Sequence, residues 1–97
     1  MAQEKQFENK IKKYLSERGA WVFKVAGGGF QRSGVPDLVC CLNGKFLGIE
    51  VKASNGRLSE LQLWNIEQIK KAGGVAMVLY PEQWEEFKEL IEQMTSE

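Results

Sequence analysis

Pro36-Asp37-Leu38-Val39-Cys40-Cys41-Leu42-Asn43-Gly44-Lys45-Phe46-Leu47-Gly48-Ile49-Glu50-Val51-Lys52 is two apolar runs joined by Asn-Gly. Asn-Gly between such runs is the strongest short-range hairpin signal. The stretch therefore predicts a strand from Val35 to Leu42 and an antiparallel return from Lys45 to Lys52, with Pro36 near a strand start, where proline is tolerated. If Asn43 and Gly44 are the two turn residues, Leu42 pairs with Lys45, and Asp37 lies opposite Glu50. A period of two puts Leu47, Ile49 and Val51 on one face and Gly48, Glu50 and Lys52 on the other.

Upstream, residues 4–18 read as an amphipathic helix with Phe7, Ile11, Tyr14 and Leu15 on one side. Gly19 suits its C-terminal stop. Residues 20–25 read as a first strand, and Gly27 through Gly34 as a loop holding Phe30, Gln31, Arg32 and Ser33. Downstream, Ser59-Glu60-Leu61-Gln62 is a capping box opening a helix that runs to about Ala72. Residues 75–80 form an apolar run without alternation, as expected of a strand buried on both faces. Pro81 opens a last helix, residues 81–95, with Trp84, Phe87, Ile91 and Met94 as its apolar stripe. The order is α-β-β-β-α-β-α, an α/β fold with a mixed sheet. Three strands form an antiparallel meander, and the fourth enters through a helical crossover, expected beside the first strand.

A chain of 97 residues, 43% of them hydrophobic, can form one packed domain, read as residues 1–97 with a core at 4–80 and an acidic terminal helix. No run approaches the ~20 apolar residues of a membrane span, and the N-terminus does not resemble a signal peptide, so a cytoplasmic location is expected. Cys40 and Cys41 are neighbours on a strand and poor disulfide partners; both are expected to be buried and reduced. The absence of histidine excludes His-dependent nucleophilic catalysis and His-ligated zinc. The net charge is zero, but residues 81–97 carry six acids and one base. The rest of the chain is therefore basic, which is compatible with binding phosphate.

Glu-x-Lys on a strand is usually a solvated ion pair, and Asp37 alone could be a turn residue. Together they say more. Asp is disfavoured in strands, and two acids directly opposite each other repel. A shared cation is the simplest compensation, and carboxylates with water suit Mg²⁺ or Mn²⁺. Such an ion activates water and polarises a phosphate, and Lys52 could position the water and offset charge in the transition state. Glu8 borders the core-facing stripe of the first helix; it either reaches solvent, paired with Lys12, or points at the metal. Gln62 either serves the capping box alone or also contacts the nucleophile or DNA. The Gly-rich loop lacks a P-loop ending. Lys24, Arg32, Ser33 and Arg57 are the candidate DNA contacts, and the tryptophans are read mainly as core.

Gly34-Val35-Pro36-Asp37-Leu38, Ile49-Glu50-Val51-Lys52 and Leu58-Ser59-Glu60-Leu61-Gln62 together resemble the motifs of the PD-(D/E)xK nuclease superfamily, and more closely its VRR-NUC branch. Glu8 occupies the place of that branch's first-helix acid, and the resemblance covers residues 4–80. It implies a restriction-endonuclease-like core and Mg²⁺- or Mn²⁺-dependent DNA cleavage. It also implies metal ligation by Asp37, Glu50 and the Val51 carbonyl, with Lys52 catalytic. Stand-alone members of this size are similar to phage-type Holliday junction resolvases acting as homodimers, which would place the chain in a bacterial or phage-infected cell. A two-fold dimer matches the symmetry of a four-way junction. A nuclease on linear or nicked DNA, and a catalytically silent DNA-binding module, are the alternatives.

Overall fold

In the computed structural model, which describes residues 2–26 and 33–97, the elements follow the expected order. They are α1 (Ala2–Glu17), β1 (Trp21–Lys24), β2 (Leu38–Leu42), β3 (Lys45–Val51), α2 (Glu60–Lys71), β4 (Val75–Leu79) and α3 (Trp84–Ser96). The hairpin has the expected register, from Leu42 opposite Lys45 to Leu38 opposite Ile49. Its turn residues Asn43 and Gly44 have φ of +52° and +78°. Positive φ at both central positions matches the right-handed twist of the strands, which is why Asn-Gly is favoured there.

The sheet order is β1-β2-β3-β4, with the first three strands antiparallel and β4 parallel to β3. The fourth strand thus lies beside the third, not beside the first as the sequence had suggested. Consecutive elements tend to be spatial neighbours, and a helical crossover returns a strand parallel to its predecessor. As an edge strand, β4 is less enclosed than expected: only Ala76 and Leu79 are buried. β2 begins at Leu38 rather than Val35, with Asp37 just before the ladder.

Strand alternation sorts the two faces of the sheet. Leu38, Cys40, Leu42, Leu47, Ile49 and Val51 form one core with Phe7, Ile11 and Leu15 of α1 and with Phe87, Ile91 and Met94 of α3. Burying a side chain of this kind stabilises the fold by about 1.5–3 kcal/mol. The other face is covered by α2 over β3 and β4. Its β1–β2 side remains open, so Trp21 and Phe23 are exposed, as is Phe46 near the start of β3. Cys41 is exposed too, which corrects the expectation of two buried cysteines. Adjacent strand residues must point to opposite faces, and only one of these faces is fully covered. Burial and the neighbouring Cys41 push the Cys40 thiol up to about 12.

The acidic terminal helix belongs to this core. A 3₁₀ turn, Pro81–Gln83, precedes it, so α3 starts at Trp84 rather than at Pro81. Tyr14 Oη donates to Glu92 at 3.0 Å, and Arg18 and Lys45 pair with Glu92 and Glu97. Asn43 Nδ2 donates to the carbonyls of Met94 and Glu97, satisfying acceptors that a helix end leaves free. Among the described residues, no helix is long and apolar enough to cross a membrane.

Candidate active site

Asp37 stands where the β1–β2 loop enters the ladder. Its carbonyl accepts from the Val25 amide at 2.8 Å, and its Oδ2 accepts from the Val51 amide at 2.8 Å. The second bond replaces the next rung of the ladder with a side chain and fixes the carboxylate beside the end of β3. Gly34 makes the approach possible. It has φ +81°, and a Cβ there would lie 2.6 Å from Leu61 Cγ and 2.9 Å from Asn65 Nδ2 on α2.

Glu50 is 3% exposed, and its Oε1 is buried without a hydrogen-bond partner. Burial, and then the charge of Asp37, push its carboxyl up to about 7, although Lys52 pulls the other way. Lys52 Nζ lies 3.5 Å from Glu50 Oε2. Thus Glu50 and Lys52 do share a face, but the pair is largely buried rather than a solvated surface pair.

Gln62 closes the expected capping box and also reaches Glu50, a partner the sequence had not suggested for it. Its backbone amide donates to Ser59 Oγ at 3.1 Å, and its Oε1 accepts from the Ser59 amide at 2.8 Å, closing the capping box. Its Nε2 donates to Glu50 Oε2 at 2.8 Å. The Ser59 amide can only donate, so it takes the Gln62 oxygen and leaves the NH₂ group for Glu50. The start of α2 is therefore tied to the carboxylate of β3.

Glu8 comes from α1 and is 4% exposed. Lys24 Nζ lies 2.8 Å from Glu8 Oε1 and 3.9 Å from Asp37 Oδ1, bridging the two acids. Lys5 and Lys12 stand 3.6 and 3.7 Å from Glu8 Oε2. Burial alone would raise the Glu8 carboxyl, but the hydrogen bond and charge of Lys24, with Lys5 and Lys12, hold it below its ordinary value. Lys24, expected as a DNA contact, is thus engaged with Glu8. The Glu8–Lys24 link was not read from the sequence, although alternation gave a signal: Lys24 shares a face with Val22, the side on which α1 packs.

Ser33 and Arg57 are both exposed, as DNA contacts would have to be. Arg32, with Phe30 and Gln31, lies outside the described residues. No three carboxylates or other ligand-type side chains form a ready-made metal cage among the described residues. The donor chemistry nevertheless fits a hard divalent cation at the Asp37–Glu50 pair. A buried carboxylate oxygen has no hydrogen-bond partner, and its neighbouring acid makes its charge costly.

Comparison with known proteins identifies the family and the fold. The family model described as archaeal Holliday junction resolvase (Hjc) matches residues 2–92. The match therefore continues into α3, beyond residue 80, where the sequence resemblance had been expected to end. A solved structure described as a VRR_NUC domain aligns with a TM-score of 0.73 at 26% identity, covering 93% of this chain and 95% of that one. The Holliday junction resolvase Hjc of the archaeal hyperthermophile Archaeoglobus fulgidus aligns with a TM-score of 0.61 at 26% identity, covering 78% of this chain. This chain spans 66% of that protein's length. No curated protein matches the sequence.

Proposed function

The chain belongs to the archaeal Holliday junction resolvase family, with the nuclease fold of the PD-(D/E)xK superfamily, and from that premise we propose that it is a Mg²⁺- or Mn²⁺-dependent endodeoxyribonuclease cutting branched DNA as a homodimer. The observation that carries this reading is the Asp37–Glu50 pair, with a buried, unpartnered Glu50 oxygen and Lys52 beside it.

Asp37, Glu50 and the Val51 carbonyl would hold the ion. When bound, it supplies Lewis-acid polarisation of the phosphate and stabilises the leaving oxygen. The protein's own groups do the remaining work. The Val51 amide fixes the Asp37 carboxylate, and Gln62 fixes that of Glu50. Lys52, itself mostly shielded from water, places an ammonium where charge grows on the phosphate. Ser33, Arg57 and Arg32 would meet the DNA backbone. The two-fold symmetry of a four-way junction calls for two matched sites, which a C2 dimer supplies. Exposed Trp21, Phe23 and Phe46 give this domain an apolar surface suited to such pairing.

The test is cleavage of a labelled four-way junction, a flap and a linear duplex, each with Mg²⁺, Mn²⁺ or EDTA, beside Asp37→Asn and Lys52→Ala. Paired symmetric cuts in the junction, lost in EDTA and in both variants, are the expected result. Equal cutting of every substrate would keep the nuclease and discard the junction preference. Cleavage in excess EDTA would overturn the metal assignment. Wild type no more active than Asp37→Asn would leave a DNA-binding module.

A further inference from the structure

Lys52 follows the last residue of β3, and its amide donates to the Leu79 carbonyl of β4 at 3.1 Å. Its backbone is thus tied to the sheet, but its ammonium stands at the end of a flexible stem. Such a side chain is rich in rotamers, so its charge stays in one place only if the stem is packed. The contact at the tip does not suffice. Nζ is 3.5 Å from Glu50 Oε2, longer than a direct N–H···O hydrogen bond, and that oxygen already accepts from Gln62 at 2.8 Å. Yet the Lys52 side chain is only 16% exposed.

The stem is covered by the turn that follows it. The Gly56 amide donates to the Ala53 carbonyl at 2.8 Å, which folds residues 53–56 back toward Lys52. A Cβ on Gly56 would lie 3.1 Å from Lys52 Cδ and 3.2 Å from Lys52 Cβ, so the bare glycine backbone rests against the stem. Gly56 is not among the glycines with positive φ, so this position calls for glycine for its room and not for a left-handed backbone. The turn is fastened from its other side. Tyr80, one residue past the end of β4, donates from Oη to the Gly56 carbonyl at 3.1 Å. The Tyr80 backbone is itself fixed: its amide donates to Gln83 Oε1 at 3.1 Å, and its carbonyl accepts from the Gln83 amide at 2.9 Å. Leu79 and Tyr80 therefore hold Lys52 twice, once at its amide and once, through Gly56, along its side chain.

We propose that Tyr80 is a positioning residue for Lys52: its hydroxyl holds the Gly56 turn against the lysine stem and so sets where the ammonium stands. This inference rests on the nuclease reading above, in which Lys52 meets the phosphate, and deepens it. A misplacement of about 1 Å can cost on the order of 100-fold in rate. Loss of the Tyr80 hydroxyl loosens the turn without removing the lysine, so it costs part of that and leaves cleavage measurable.

The experiment measures how fast acetic anhydride labels Lys52 in the intact protein, read by peptide mass spectrometry, beside single-turnover cleavage of a four-way junction with Mn²⁺. Lys12 and Lys88, whose side chains are 33% and 35% exposed, are references within the same molecule. In Tyr80→Phe, Lys52 should be labelled several-fold faster while Lys12 and Lys88 keep their rates. Cleavage should fall about tenfold with junction affinity unchanged. Gly56→Ala keeps the Tyr80 hydroxyl but crowds the stem, and it should lower cleavage as well. Unchanged labelling of Lys52 in Tyr80→Phe would overturn the proposal, and so would a rise shared by all three lysines, which marks general loosening. Cleavage at the wild-type rate in Tyr80→Phe or in Gly56→Ala would also overturn it, since the held position would not matter to the reaction. If the wild type cuts no better than Asp37→Asn, the nuclease reading falls and Tyr80 loses its part in a reaction; a labelling rate at Lys52 that still changes tells that failure from failure of the contact itself.

Discussion

Gln62 Nε2 donates to Glu50 Oε2 at 2.8 Å while Gln62 Oε1 accepts from the Ser59 amide, so the N-terminal cap of α2 also holds a carboxylate of β3. The two functions can be separated. Ser59→Ala removes the hydroxyl that accepts from the Gln62 amide but leaves the bond to Glu50; it should cost about 1 kcal/mol of stability with little change in cleavage. Gln62→Ala should cost a similar amount and also lower cleavage about 10–100-fold, the usual effect of losing a partner that orients a metal ligand. Urea denaturation and single-turnover cleavage measure the two effects. If both variants lose activity only in proportion to stability, the bond to Glu50 is structural.

Glu50 gives the metal-free protein a characteristic pH dependence. Burial first, and then Asp37, raise its carboxyl from 4.5 to about 7. The folded state therefore holds the proton more tightly than the unfolded chain. Stability should fall as pH rises between about 4.5 and about 7 and level off above that, by on the order of a few kcal/mol in all. Glu8 acts in the opposite sense and in another window. Its lowered pKa contributes stability that is present above 4.5 and lost as pH falls below it. Thermal unfolding in EDTA should show the decline toward neutral pH, and Mn²⁺ should remove it. Glu50→Gln should flatten the same limb; an unchanged slope in that variant would assign the effect to another group.

The hairpin, its register and the capping box were legible because each is a local pattern. Asn43-Gly44 dictates positive φ at both turn positions, and counting outward from the turn brings Asp37 to Glu50. The position of β4 was not legible, since periodicity describes a strand's faces and says little about its neighbours. The exposure of Cys41 followed from alternation but depended on how far α2 reaches across the sheet, which is a tertiary fact. The same holds for the site. Asp37, Glu50 and Lys52 lie on one hairpin and could be related by counting, whereas the Glu8–Lys24 pair joins α1 to β1. Its geometry depends on how the helix crosses the sheet.

Gly34 should be sensitive to any side chain, because its φ is +81° and an added Cβ would meet Leu61 and Asn65 at under 3.0 Å. Gly44 is the control. Its φ is +78°, but nothing lies within 4 Å of a Cβ built there. Gly44→Ala should cost about 1–2 kcal/mol, for left-handed backbone alone, and leave cleavage intact. Gly34→Ala should cost more than that and reduce cleavage out of proportion, since the loop that collides with α2 also delivers Asp37. Equal losses in the two variants would show that only backbone conformation matters at Gly34.

Trp21 and Phe23 stack on β1 with ring centroids 6.0 Å apart and planes 7° from parallel, yet they are 62% and 52% exposed. Cross-strand pairing sets Cys41 beside Trp21 and Phe46 beside Cys41, so the apolar surface runs across three strands. Neither ring belongs to the main core, which lies on the other face of the sheet. Replacing them should therefore leave the fold intact and change only what meets this surface. If it is where two copies pair, the double variant Trp21→Lys/Phe23→Lys should sediment as a monomer at concentrations where the wild type is a dimer. Its melting should also lose any dependence on protein concentration. Junction cleavage should then change in kind, with single nicks replacing paired cuts, because the two active sites no longer arrive together. A variant that remains dimeric and still cuts in pairs would move the interface to another surface, and exposed Leu61, Leu63 and Trp64 on α2 would be the next residues to change.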